Sequence, residues 1–190
     1  NLNVKKTKHM SLQPSDREIE TGGEKVEKVT EFKYLGSIIT SDGSCKTNII
    51  TRIAMAKKRM LELTPIWKDH GIRTDVKLKL LRALVWTVVT YGCEAWTIKK
   101  TEENRIQAAE MWFYRRMLQV SWTEKRTNES ILKQLKVKRQ LLAQIKRRKL
   151  AYFGHCCRPH GCDLVKDTIQ GTIPAKRKRG RPRMQYADNI

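Results

Sequence analysis

The sequence predicts an α+β fold: a small β-hairpin region, a mostly α-helical body and an irregular basic tail. Three observations carry this. Short apolar runs punctuated by Gly22-Gly23 and Asp42-Gly43 lie in the first 45 residues, the pattern of strands joined by tight turns. From Thr47 onward the apolar spacing changes to the helical period, and it persists to Phe153. After Gly154 the period fades, while Gly161, Pro174, Gly180 and Pro182 interrupt a run of cations.

In the β part, Ile19, Val26, Val29, Phe32, Tyr34 and Leu35 supply the apolar side chains of short strands. The first helix places Ile49, Ile53, Ala56, Met60, Leu63 and Trp67 on one face, an apolar stripe that needs a partner. A second helix starts near Thr74-Asp75, where a hydroxyl or carboxylate can cap free N–H groups, and is expected to bury Val76, Leu80, Leu84, Thr87, Val88 and Tyr91. A third starts at Thr101-Glu102-Glu103, whose acids suit the positive helix end, and presents Ile106, Ala109, Trp112, Phe113 and Met117. These three are expected to pack together. Thr127 can cap a short helix carrying Ile131, Leu132 and Leu135. Residues 138–153 can form another, with Leu141, Leu142, Ile145, Tyr152 and Phe153 on one side and a strongly basic opposite face.

Charge limits the function classes. Forty Lys and Arg against nineteen Asp and Glu give +21, and 39% hydrophobic content with five Trp suffices for a core. Residues 123–190 hold eighteen basic and five acidic residues, +13 of that total. Such self-repulsion calls for a polyanion, and nucleic acid is the expected partner. No N-terminal apolar leader is present, and the most apolar stretch is broken by Arg82 and Glu94, so a soluble chain with no membrane partner is expected. Five Cys, two of them adjacent, do not form a disulfide framework, and a reducing, intracellular compartment follows.

Chemistry-bearing clusters are sparse. His155, Cys157, His160 and Cys162 are zinc-ligand types within eight residues, but the adjacent Cys156 crowds a single tetrahedral centre, and no second pair stands at finger spacing. Incidental residues are the preferred reading. Phosphate loops, nucleophile elbows and paired metalloprotease histidines are absent from the sequence. Tyr186-Ala187-Asp188-Asn189 imitates a metal-binding Tyr-Ala-Asp-Asp box, yet ends in Asn where the second carboxylate belongs and lacks strand context.

Several segments, in order, resemble the C-terminal part of non-LTR retrotransposon endonuclease-reverse transcriptases. The opening Asn1-Leu2-Asn3-Val4-Lys5-Lys6-Thr7 looks like the stretch after the catalytic palm motifs, and Phe32-Lys33-Tyr34-Leu35-Gly36 resembles the Tyr-Leu-Gly hairpin of the primer grip. Arg52-Ile53 with Ala56-Lys57, Lys79-Leu80-Leu81-Arg82, Tyr91-Gly92-Cys93-Glu94-Ala95-Trp96, Phe113-Tyr114-Arg115-Arg116-Met117-Leu118, Phe153-Gly154-His155 and the final Arg-Gly-Arg-Pro resemble the thumb and the region beyond it. The likeness runs over essentially the whole chain.

The resemblance implies four regions: 1–45, palm remnant and primer-grip hairpin; 46–122, helical thumb-like domain; 123–155, basic helical region; 156–190, irregular basic tail. It implies a reverse transcriptase fragment, catalytically incomplete alone, whose metal-binding aspartates would lie upstream of Asn1, with upstream palm and endonuclease domains as partners in the full-length protein. No cofactor is expected in this chain; Mg2+ belongs to the complete enzyme. Lys6 matches the lysine placed near the leaving pyrophosphate, a candidate general acid, although it also reads as one solvated lysine among several. Tyr34, Leu35 and Gly36 would support the primer end. Lys57, Lys58 and Arg59, and Lys146, Arg147, Arg148 and Lys149 on the basic helix, would contact phosphates of RNA and DNA. In the tail, Arg179-Gly180-Arg181-Pro182-Arg183 resembles an AT-hook, whose extended arginines fit a narrow minor groove; a nuclear-localisation signal or plain basic tail fits the same residues. A nuclear location is the expectation. The competing reading is a non-enzymatic nucleic-acid-binding protein derived from such an element.

Overall fold

The computed structural model describes residues 3, 7–11, 18–158, 163–170, 180, 186 and 188. It is α+β, as expected, with helices dominating. The chain divides into two compact units, Asn1–Thr51 and Arg52–Ile190, and one helix runs through the division.

Among the described residues of the first unit six short strands form three two-stranded ladders: β1 (Lys8–His9), β2 (Glu20–Thr21), β3 (Glu24–Lys25), β4 (Glu27–Lys28), β5 (Glu31–Tyr34) and β6 (Ser37–Thr40). β1 pairs parallel with β4, and the register partners Lys8 and Glu27 also form an ion pair at 3.2 Å. β2 and β3 pair antiparallel around Gly22-Gly23, as the turn signal predicts. Asp42-Gly43 does something different: it closes the end of β6 into helix α1 (Lys46–Glu62). There the buried Thr40 donates to the Ser44 carbonyl at 3.0 Å, and the Asp42 carboxylate accepts the Ser44 N–H at 2.9 Å. This unit buries few apolar side chains. Ile19 and Tyr34 are largely exposed, and Phe32, Val26 and Val29 are half-buried.

The second unit contains the core. The face predicted from Ile53 through Ala56, Met60 and Leu63 to Trp67 is buried throughout. The helix is interrupted at Leu63, after which α2 (Thr64–Lys68) restarts with Pro65 in its first turn, a position where the missing N–H costs nothing. The Trp67 indole donates to the Met60 carbonyl at 2.9 Å, joining the two segments.

The second predicted helix forms, but its buried face differs. α3 (Thr74–Leu81) continues through a π-helical turn, Arg82–Trp86, into α4 (Thr87–Val89). Leu78, Leu81, Val85, Trp86 and Val89 are buried, whereas Val76 and Tyr91 are exposed. The run LLRALVWTVV is apolar on nearly every side, so the period alone admits two faces. Burying the larger Trp86 removes more apolar surface from water, and its ring meets Tyr114 at 6.4 Å. Asp75 does not cap α3; its carboxylate engages Arg73 at 3.0 Å.

After a 3-10 turn at Cys93–Ala95, α5 (Lys100–Met117) is the central helix, with α2, α3, α6 and α7 packed on it. Its start lies one residue earlier than predicted. Glu102, three residues past the cap, is buried and its carboxylate accepts the Lys99 N–H at 3.0 Å, satisfying a donor the helix start would orphan. Ile106, Ala109, Phe113 and Met117 are buried as expected, but Trp112 is only half-buried. α6 (Asn128–Leu135) starts at Thr127, whose hydroxyl accepts the Ser130 N–H at 3.2 Å. α7 (Leu141–Cys156) buries Leu141 and Ile145, and α8 (Asp163–Gln170) packs against it. No helix among the described residues is long and apolar enough to cross a membrane.

Candidate nucleic-acid interface

In the first unit, β5 and β6 are joined by two residues, with Tyr34 opposite Ser37. Leu35 and Gly36 have φ of +46° and +80°. Positive φ at both central positions is the geometry that lets a two-residue turn follow the right-handed twist of its strands. Gly36 adopts it freely; Leu35 does so against its own Cβ. The turn leaves Leu35 75% exposed and Tyr34 57% exposed. The three residues singled out in the sequence therefore sit together at an exposed, tightly turned tip.

In the second unit, Lys57, Lys58 and Arg59 are all exposed on α1. Arg59 is held by Glu62 at 3.1 Å. The Lys57 ammonium lies 5.3 Å from the centre of the Trp112 ring, and no ion pair engages Lys57 or Lys58 among the described residues.

The four consecutive cations of α7 separate by helical phase. Arg147 is exposed. Lys146 approaches Glu103 at 3.6 Å, and Glu103 also accepts from Lys100 at 2.9 Å; the Lys100 hydrogen bond leads in holding its carboxyl below the usual carboxylate range. Arg148 is partly exposed but paired: Nε donates to Glu94 Oε1 at 2.7 Å and Nη1 to Thr90 Oγ1 at 2.8 Å. Lys149 is fully buried, its ammonium 4.6 Å from the centre of the Tyr186 ring. A strongly basic outer face over all four positions is thus corrected: Arg147 is exposed, Lys146 and Arg148 are partly exposed but paired with Glu103 and Glu94, and Lys149 is buried. One turn of helix holds 3.6 residues, so four successive side chains cannot share a face.

Tyr186 docks on α7. Its hydroxyl donates to the Glu94 carbonyl at 2.7 Å and lies 3.2 Å from the Lys149 carbonyl, and its ring stacks on Phe153 at 6.3 Å and 18°. Burial, aided by Tyr152, Cys156, Glu94 and Cys93, pushes the phenol up to about 12. The sequence reading of Tyr186 as no part of a metal box gains a concrete alternative, an aromatic side chain docked on α7. Gly180 has φ of +139°, a conformation side chains with Cβ rarely adopt. The rest of the AT-hook-like run, Arg179, Arg181, Pro182 and Arg183, lies outside the described residues, as does Lys6.

The zinc candidates are only partly described. His155 is exposed and Cys157 accepts from Gln170 at 3.9 Å; His160 and Cys162 lie outside the described residues. Among the described residues no group of three potential metal ligands gathers. Cys45, Cys93, Cys156 and Cys157 form no disulfide among the described residues, and burial leads in pushing the Cys93 thiol up to about 12.

Sequence reasoning missed Glu110. It is fully buried on α5, and its Oε1 accepts the backbone N–H of Gln140 at 2.7 Å and of Leu141 at 3.2 Å, and the Tyr114 hydroxyl at 3.0 Å. Its only trace in the sequence is an acid on the apolar face of a helix, between Ala109 and Met111.

A transposon-derived, uncharacterized protein of Caenorhabditis elegans is 26% identical over 175 residues, covering 87% of this chain and 60% of that protein. The chain thus spans less than two thirds of this relative's length, and the likeness supports a mobile-element origin. No protein-family model matches the chain, and no solved structure matches it.

Proposed function

We propose that this chain is the C-terminal part of a mobile-element reverse transcriptase, in which it holds the template and primer rather than performing the chemistry. The observation that carries the reading is the set of exposed cations on the helical unit, Lys57, Lys58 and Arg147, on a chain of net charge +21. Lysine and arginine placed this way neutralise backbone phosphates and release their counterions, which binds nucleic acid without reading its sequence. The exposed tip at Tyr34, Leu35 and Gly36 supports a second contact, where a close backbone turn meets the primer end. The ordered likeness to reverse transcriptase segments, and a transposon-derived relative, favour this source of basic helical protein over others. RNA and DNA are the partners, and the two Mg2+ ions of polymerisation belong to carboxylates upstream of Asn1. Alone, the chain binds but does not polymerise.

Two measurements test this. In a primer-extension assay with primed RNA template, Mg2+ and nucleotides, purified residues 1–190 are expected to retain the template on a gel yet yield no extended product. Extension would overturn the assignment of the aspartates to an upstream segment. The coding sequence upstream of Asn1 separates the enzyme part from a stand-alone binder: an in-frame palm with its aspartates supports the former, and a start codon near Asn1 contradicts it.

A further inference from the structure

We infer that Trp112 is a stacking platform for an unpaired base, so that the helical unit takes single-stranded nucleic acid on the exposed face of α5. This rests on the nucleic-acid-binding reading and adds a site and a strand form to it. Four observations lead here. Trp112 belongs to the helical period of a core residue, yet is half-buried, while the other three tryptophans whose side chains are described, Trp67, Trp86 and Trp96, are each 1% exposed. The ammonium of the exposed Lys57 lies 5.3 Å from its ring centre, so this ring face is reached from the solvent side. On α5 the residues in phase with Trp112 are Arg105, Ala108 and Arg116, all exposed. No acid occupies that stripe, and none of Lys57, Lys58, Arg105 and Arg116 forms an ion pair among the described residues.

The chemistry follows from this placement. Arg105 and Arg116 stand at the two ends of a stripe ~16 Å long, with the indole between them and the small Ala108 one turn away. Cations at intervals along an aromatic surface fit a strand whose phosphates run past while a base lies on the ring, and such stacking tolerates any base. Lys57 is bound to the ring only by the cation–π attraction, a weak contact at an exposed site. An arriving base takes its place, and the ammonium is freed for the phosphate beside it. A duplex hides its base faces within the stack, so the occupant is an unpaired strand.

The test compares 20-nucleotide oligo(dT) and oligo(rU) with an abasic 20-mer carrying the same number of phosphates, by fluorescence anisotropy on residues 1–190 at fixed salt. The full chain is expected to prefer both base-bearing strands over the abasic one by about fivefold or more. Trp112→Leu, which keeps apolar bulk without the ring, loses that preference and leaves abasic affinity unchanged; Trp112→Phe keeps most of it. Equal affinity of the unmodified protein for all strands would overturn the platform, as would a Trp112→Leu variant weakened equally on base-bearing and abasic strands. Absence of binding to any strand would overturn the nucleic-acid reading itself along with it.

Discussion

The carboxylate of Glu110, in the middle of α5, accepts the backbone N–H groups of both Gln140 and Leu141 at the start of α7. A helix start orphans its first N–H groups, and α7 has no side-chain cap of its own. The acid from the central helix supplies one, and its charge suits the positive end of the α7 dipole. Glu110→Ala leaves these donors buried and unmet, and is expected to destabilise by about 2–4 kcal/mol, read from urea denaturation. Glu110→Gln keeps one accepting oxygen and costs less. Equal loss in both variants would mean that the charge, not the acceptor, is what α7 requires.

Tyr186 gives a pH prediction. Burial pushes its phenol up to about 12, from an ordinary value near 10. A raised acid contributes stability that is fully present below the unfolded value and is lost as pH rises through the folded one. Docking of Tyr186 on α7 therefore weakens between pH ~10 and ~12. The difference between phenolate absorbance titrations of the unmodified protein and Tyr186→Phe isolates this group. A difference curve centred near 10 would show that the hydroxyl is not held by the Glu94 carbonyl in solution.

The helical phase of α7 gives a charge prediction. Arg147→Ala removes an exposed cation and lowers the slope of log affinity against log salt by about 0.9 on duplex DNA, if Arg147 meets a phosphate. Lys149→Met removes a buried one and leaves the slope unchanged. A slope that falls equally in both would place the Lys149 ammonium at the surface.

The tryptophans separate by burial. Trp67→Ala empties a fully enclosed site and costs about 3–5 kcal/mol, whereas Trp112→Ala, from a half-buried ring, costs distinctly less. Thermal denaturation of the two variants ranks them. The reverse order would place Trp112 in the core.

These contrasts show what was legible in the sequence. The face from Ile53 to Trp67 could be read because its polar residues are distinct from its apolar ones, and Thr127 because a cap acts within three residues of itself. The α3 face could not, since residues 80–89 are apolar on both sides and the π-helical turn that sets their phase depends on packing around Trp86. Trp112 differs for another reason: period marks a position on a helix but not how fully its neighbours cover it, and Trp112 is only half-buried. Of the candidate interface, the cations of α1 and the hairpin tip were visible as local patterns. The pairing of Arg148 and the burial of Lys149 were not, because Glu94, Thr90 and Tyr186 are distant in sequence.

The central claim is that this chain holds nucleic acid through its cations, and the most direct measurement is the affinity of residues 1–190 for a primed RNA template over a salt series. Log affinity is expected to fall linearly with log salt, and deletion of residues 176–183, which removes six positive charges, to reduce the slope by up to about five units on a duplex DNA control. Retained binding by that deletion variant through the helical unit completes the expected result. Affinity indifferent to salt, or no binding at low salt, would contradict the account.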